Sequence, residues 1–401
     1  MKALASQRDR LPSACQRIPA FRPLALILIL ILIGLGTLAL PVPLAHADGG
    51  APNLAYIAGA GKGISVFDVA QQKVTGNIAL NGDPFMLYLT LDGRFLYVAQ
   101  PGLNEVSMIN TSTQQVVCSA SIPGQPSLLA FDPGVNLLYV AGNGASTITA
   151  LTGNSCTIKK TIAVSGPVYG LATAEVGSGP NGGNGNQLWF TTANSLNVYT
   201  QPDKIQSISI PGNPQYISIP PGATVYTTTR QGTIVAVSLE TLQPTPPLLT
   251  GGEFGPMDFN AYTGEIYVPD KKQNAVDVLT PMYFGNKVPH EPERVIKLDG
   301  SPQSVAITGD GNLGFFAMNG GRVALFDIPG RQVSDTFVVG GSPRFIITGL
   351  YPPTTRNSPQ SNANGSPIPT TTLVFLAILA LLLLTIIALL ILLVRWRKEE
   401  E

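Results

Sequence analysis

The chain has 401 residues, 24 basic and 24 acidic, and only 12 % of them are charged, so no basic excess exists to hold nucleic acid. Gly (42) and Pro (34) are both well above average usage. That composition suits many short strands joined by tight turns and disfavours long helices.

In chain order, the first feature is a leader. Lys2, Arg8, Arg10, Arg17 and Arg22 precede the apolar run from Leu24 to Leu40, and Ala45-His46-Ala47 comes after it. Basic, apolar and small-residue regions in that order are the grammar of a secretory signal, so residues 1–47 are predicted to be a signal peptide cleaved before Asp48. Retention as an uncleaved anchor is the alternative, and in either case the chain from Asp48 onward is exported.

From there to about residue 350 a proline recurs at a turn, usually after a glycine: Pro84, Pro126, Pro167, Pro214, Pro256, Pro302 and Pro343, spaced by 42, 41, 47, 42, 46 and 41 residues. Such a period belongs to four-stranded propeller blades. The first unit shows the internal order: Phe85 to Thr90, a turn at Leu91-Asp92-Gly93, then Phe95 to Ala99, Val106 to Asn110 and Val116 to Ile122. Residues 54–80 supply second, third and fourth strands with no first, and Arg344 to Gly349 supply a first strand with nothing behind it. Joined, they complete a seventh blade. The fold predicted for 48–350 is therefore an all-β, seven-bladed β-propeller closed by a terminal latch, which removes exposed strand edges.

Two units exceed the period. Gly177 to Gln187 extend one between its first and second strands, and Thr280 to Arg294 extend another between its third and fourth. Both insertions fall on the face where first strands end, which is also the face that emits the chain at Gly349 and is predicted to look toward the membrane.

Leu96-Tyr97-Val98-Ala99, Leu138-Tyr139-Val140-Ala141 and Ile266-Tyr267-Val268-Pro269 resemble the "LYVAN" strand of YVTN-type β-propeller repeats, and Val106 to Thr111 resembles that repeat's third strand. The resemblance spans about 54–350 and implies an exported surface protein of a prokaryote. Because the shared residues are turn and core residues, it implies the fold far more strongly than any activity.

Beyond the repeats, 351–372 is rich in Pro, Ser, Thr and Asn and reads as an extended stalk, up to about 65 Å long at about 3 Å per residue. Residues 373–394 are uncharged and apolar, about 33 Å as a helix, and are predicted to cross a bilayer once. Arg395, Arg397 and Lys398 come next, which places the tail 395–401 in the cytoplasm and the propeller outside. Setting aside five basic and one acidic residue before position 48, and three of each after 394, leaves 16 basic against 20 acidic in the exported part.

Chemistry is sparse. His290 is the single exported histidine and reads as a solvated loop residue, so neither a catalytic set, a metal site nor a cofactor is predicted. Asp92, Asp132 and Asp310 sit at inter-strand turns, and Asp68, Asn110, Asp277 and Asp327 at the ends of third strands; all read as turn-forming residues. Cys118 and Cys156 could pair after export, yet they fall near outer strands of successive blades, which splay apart, and a bond needs Cα atoms within about 7 Å. Both states stay open. The outward face carries Lys62, Glu105, Arg230, Lys271, Lys272 and Arg322 on its loops as candidate contacts.

These features favour a membrane-anchored, non-catalytic binding or display module, monomeric in its propeller, that meets a protein or glycan. A lactonase-like hydrolase, implied by the resemblance of seven-bladed lactonases to these repeats, is the alternative, and an accessory subunit of a membrane complex is a third.

Overall fold

A computed structural model describes residues 54–349 except 62, 176–185, 201–202 and 223. The leader, stalk, C-terminal helix and tail predicted from the sequence lie outside the described residues, as does Lys62. No helix among the described residues is long and apolar enough to cross a membrane.

The first three strands are β1 (Leu54–Ala60), β2 (Gly63–Asp68) and β3 (Lys73–Ile78). Blade 1 comes next as β4 (Met86–Leu89), β5 (Phe95–Gln100), β6 (Glu105–Asn110) and β7 (Gln115–Ser121). Blade 2 holds β8 (Pro126–Asp132), β9 (Leu137–Gly142), β10 (Thr147–Thr152) and β11 (Ile158–Ala163). Blade 3 is β12 (Gly170–Glu175), β13 (Asn186–Thr192), β14 (Ser195–Thr200) and β15 (Lys204–Ser209). Blade 4 is β16 (Pro214–Ser218), β17 (Thr224–Thr229), β18 (Thr233–Ser238) and β19 (Leu249–Thr250). Blade 5 is β20 (Asp258–Phe259), β21 (Ile266–Asp270), β22 (Ala275–Leu279) and β23 (Arg294–Lys297). Blade 6 is β24 (Pro302–Ile307), β25 (Leu313–Met318), β26 (Arg322–Asp327) and β27 (Gln332–Val338), and β28 (Phe345–Gly349) ends the ring.

Seven four-stranded sheets result, and blade 7 is ordered β28-β1-β2-β3. The all-β, seven-bladed propeller and its latch are thus present as the sequence predicted. β28 runs antiparallel to β1, with Leu54 opposite Gly349, Tyr56 opposite Ile347 and Ala58 opposite Phe345. Two further bonds extend the pairing, from Ser342 N–H to the Gly59 carbonyl (2.7 Å) and from Arg344 N–H to the Ala58 carbonyl (3.0 Å).

The strands are apolar without alternation because the blades are buried on both faces. In β5, Leu96 and Val98 pack with blade 7, while Tyr97 and Ala99 pack with blade 2. The same division recurs round the ring, so each seam has its own apolar cluster. At the seam beside the latch, Phe67 of β2 stacks on Phe337 of blade 6 at 4.2 Å and meets Phe315 edge-on at 5.5 Å.

The turn aspartates behave as predicted, with one exception. Asp92, Asp132 and Asp310 accept backbone N–H groups two residues on, at 3.1, 3.0 and 3.1 Å. At the ends of third strands Asn110 accepts the N–H two residues on, and Asp68 and Asp327 the N–H three residues on. Asp277 corrects the expectation: it lies inside β22, is 4 % exposed, and caps no turn. It is the third of five residues in that strand, whereas Asp68, Asn110 and Asp327 are the last of theirs.

Cys118 and Cys156 form a disulfide, with Cα atoms 6.0 Å apart. Splaying of outer strands does not apply, because Cys156 sits in the loop between β10 and β11 rather than in a strand. That loop reaches back to blade 1, where the Tyr97 hydroxyl donates to the Ser155 carbonyl (3.4 Å).

Two outcomes check these statements by chemical denaturation. Gly59 has φ +78°, and a Cβ there would strike the Ser342 carbonyl; Gly59→Ala should therefore cost about 1–3 kcal/mol or more through the latch. The paired change Cys118→Ser with Cys156→Ser, opening a closure of 38 residues, should cost about 2–4 kcal/mol.

Candidate ligand site at the channel mouth

The inner strands begin at or within three residues of each recurring proline, and so their first residues converge on the ring axis. They enclose a cavity of 340 Å³ to which all seven blades contribute. Its wall is apolar, including Phe85, Met86, Leu128, Leu171, Met257 and Phe345, and its polar groups include Ser127, Tyr216, Lys271, Gln303 and Arg344. This opening is on the face of the loops that join second to third strands.

Charge at the mouth is positive. Arg344 and Lys271 line it, and no carboxylate among the described residues does. Arg344 is held from two sides: Nη1 lies 2.8 Å from Asp83 Oδ2, and the guanidinium stands 5.5 Å from the Phe85 ring. Both partners of that ion pair are well exposed, so the pair mainly orients Arg344 and contributes little stability. Lys271 is anchored through its backbone, donating N–H to the Glu253 carbonyl (2.9 Å) and accepting from Ser301 Oγ (3.3 Å), which leaves its ammonium without a partner among the described residues. Gln303 Nε2 donates to the Ser301 carbonyl (3.2 Å), and burial, reinforced by the Glu253 charge, pushes the Tyr216 phenol up. Blade 3 contributes Leu171 and Gly170, and a Cβ at Gly170 would run into the Gln215 carbonyl.

Below the mouth, polar side chains tie adjacent inner strands together. Asp258 Oδ2 accepts the Ile307 N–H (2.7 Å), Thr348 Oγ1 donates to the Ile307 carbonyl (3.2 Å), and Thr173 Oγ1 donates to the Phe131 carbonyl (2.7 Å). Burial raises the Asp258 carboxyl from 3.8 to about 6, against the opposing pull of the Ile307 and Phe259 N–H groups.

Of the outward-face residues named from the sequence, Lys271 lines the cavity and the other described ones do not. Arg322 pairs with Asp299 (2.6 Å), Lys272 Nζ donates to the Gly251 carbonyl (2.8 Å), Glu105 accepts from Ser107 Oγ (2.8 Å), and Arg230 is exposed. Arg344, Tyr216 and Gln303 were missed. The signal was available: the position after the recurring proline varies from Phe to Ser to Gln to Arg while the proline stays. Among the described residues no three His, Cys, Asp or Glu side chains converge on one point as a metal shell would require.

The chain matches no protein-family model and no curated protein. Solved structures do resemble it. The periplasmic gluconolactonase PpgL of Pseudomonas aeruginosa is 16 % identical with TM-score 0.59, over 75 % of this chain and 99 % of that one. A putative 6-phosphogluconolactonase of Bacteroides uniformis is 15 % identical with TM-score 0.59, over 73 % and 98 %. A functionally unknown protein of Desulfotomaculum acetoxidans is 13 % identical with TM-score 0.61, over 74 % and 99 %. At such identities the likeness is one of fold.

Asp258 generates a pH test. A carboxyl that holds its proton more tightly folded than unfolded adds stability below about pH 4 and loses it as pH rises through about 6. Asp258→Asn should flatten the fall in unfolding free energy between pH 4 and 7 by on the order of 1–3 kcal/mol. Denaturant midpoints of the two proteins across that range measure it.

Proposed function

We propose that the protein is a membrane-anchored, extracytoplasmic propeller that binds, without turning over, an anionic group on an apolar body at its channel mouth. The cavity itself carries this reading: a concave apolar wall built by all seven blades, with Lys271 and Arg344 as its charged groups. An apolar body fills the wall, and an anion completes the Lys271 ammonium, which has no partner among the described residues. Proteins and glycans both present such groups, as terminal carboxylates or acidic sugars. The anchoring half of the proposal rests on the apolar run 373–394 with its basic flank, and export on the leader. The YVTN-like strands support the same placement on a cell surface.

Lactone hydrolysis is the second reading, favoured by the likeness to two structures named as lactonases. Both readings use the same mouth and differ in turnover.

Calorimetric titration of the full chain in mild detergent with naphthoate separates them. Binding should be saturable and weaken at least about tenfold when Lys271 and Arg344 are both replaced by Ala. Absence of saturable binding would sink the proposal. Turnover of a lactone panel that disappears in the same double variant would put the hydrolase in its place.

A further inference from the structure

The seam between blades 4 and 5 is built differently from the others. β19 and β20 have two residues each. Pro244, Pro246 and Pro247 precede β19, and prolines cannot donate to a strand ladder, so the outer edge of blade 4 stays short. The insertion after β22 fills part of the space. Met282 N–H donates to the Tyr226 hydroxyl (2.7 Å), Thr224 Oγ1 donates to the Met282 carbonyl (2.9 Å), and His290 Nδ1 lies 3.2 Å from the Pro247 carbonyl. A cavity of 290 Å³ remains.

Two buried carboxylates stand in its wall. Asp270 has no exposed surface, and its Oδ1 accepts the N–H groups of Glu253, Lys272 and Gln273 at 3.1, 3.0 and 3.3 Å. Its Oδ2 is enclosed and accepts nothing among the described residues. Asp277 lies diagonally across the β21–β22 pair on the same face, since Asp270 opposes Ala275 and Asp277 opposes Val268. It is 4 % exposed and has no hydrogen bond or ion pair among the described residues. Burial, then the Asp270 charge, raise the Asp277 carboxyl to about 6, and Lys297 partly opposes them. Lys297 is exposed and forms no ion pair among the described residues, while Lys272 turns its ammonium to the Gly251 carbonyl. His290 and Glu291 sit at the same cavity, both on exposed positions of the insertion.

Buried carboxylates opposed only in part, by the exposed Lys297, are costly, and two side by side repel. We propose that this seam binds an aliphatic primary ammonium, with Asp270 Oδ2 and Asp277 accepting its N–H groups and Leu249, Phe254 and Val295 covering its hydrocarbon stem. An ammonium presents three donors from one centre, so two carboxylates suffice to hold it. A divalent metal ion asks for more oxygen ligands than this wall converges, and the cavity is about ten times the volume of one water, which a bare ion would leave mostly empty. The apolar side of the wall has no use for an ion, but does for a methylene chain.

Free alkylamines and lysine side chains share that chemistry. Titrating the full chain in mild detergent with diaminopentane, and separately with a short lysine-bearing peptide amide, tests the site and tells the two apart. At least one should bind saturably, and Asp277→Asn and Asp270→Asn should each weaken it by about tenfold or more. Asp270→Asn retains an oxygen for the three N–H groups and turns the orphaned acceptor into a donor; should it fail to fold, Asp277→Asn decides alone. Peptide binding identifies a lysine side chain as the occupant, and binding of diaminopentane only identifies a free amine. The proposal is overturned if neither binds, if pentanol binds as well as the amine, if calcium ions displace the amine, or if the asparagine variants bind it unchanged.

Discussion

Each blade is a sheet whose two faces are both apolar, so a blade can bury itself only between two others. The ring must therefore close, and the pairing of β28 with β1 is what closes it. Without that pairing, blades 6 and 1 would each present a bare face, and Phe67, stacked on Phe337 at 4.2 Å, would lose its clamp. Fully burying one large apolar side chain stabilises by roughly 1.5–3 kcal/mol, and each seam gathers about six to ten of them. Closure is thus a condition shared by all seven seams.

The channel mouth is a by-product of the same geometry. Inner strands must start at a common height around the axis, and the recurring proline sets that start by breaking the preceding turn. In five of the seven blades the residue after it lines the cavity, whereas Val168 packs into the core. Phe85, Gln303 and Arg344 occupy this place in different blades and meet at one cavity. Recognition is written in positions that the fold leaves unconstrained, which is why a regular ring can carry a variable mouth.

Much of this was legible in the sequence because it repeats. Seven prolines, the Leu-Tyr-Val-Ala strands and the two incomplete ends were enough for blade number and closure, and strand limits agree within one or two residues, as for Val106 to Asn110 against Glu105–Asn110. Contact between blades could not be read in the same way. Cys156 pairs with Cys118 because a loop crosses a seam, and the repeat says nothing of seams. Loop charge pointed to Lys271 but equally to Arg322 and Lys272, whose side chains are committed to Asp299 and to the Gly251 carbonyl. Asp277 was misread by analogy with Asp68 and Asp327, which are the last residues of their strands, whereas Asp277 is the third of the five in β22.

That misreading shows where a repeat protein hides its specialised sites. A residue inherits a repeated role only where it occupies the repeated register position. Blade 5 has a two-residue inner strand and a long insertion after its third strand, and Asp277 lies mid-strand rather than at the strand end that Asp68 and Asp327 occupy. The side chain faces a seam, beside Asp270, where the same register position in other blades holds uncharged residues such as Ser65, Ser107, Thr149 and Asn197. Elsewhere in the ring the seam-facing strand residues are overwhelmingly apolar, as with Val98, Val140 and Leu325. A pair of carboxylates at this one seam works against local stability, and the blade that carries it is also the one whose regularity is broken. Both departures occur together, which ties the broken period to the acidic wall as parts of one local structure.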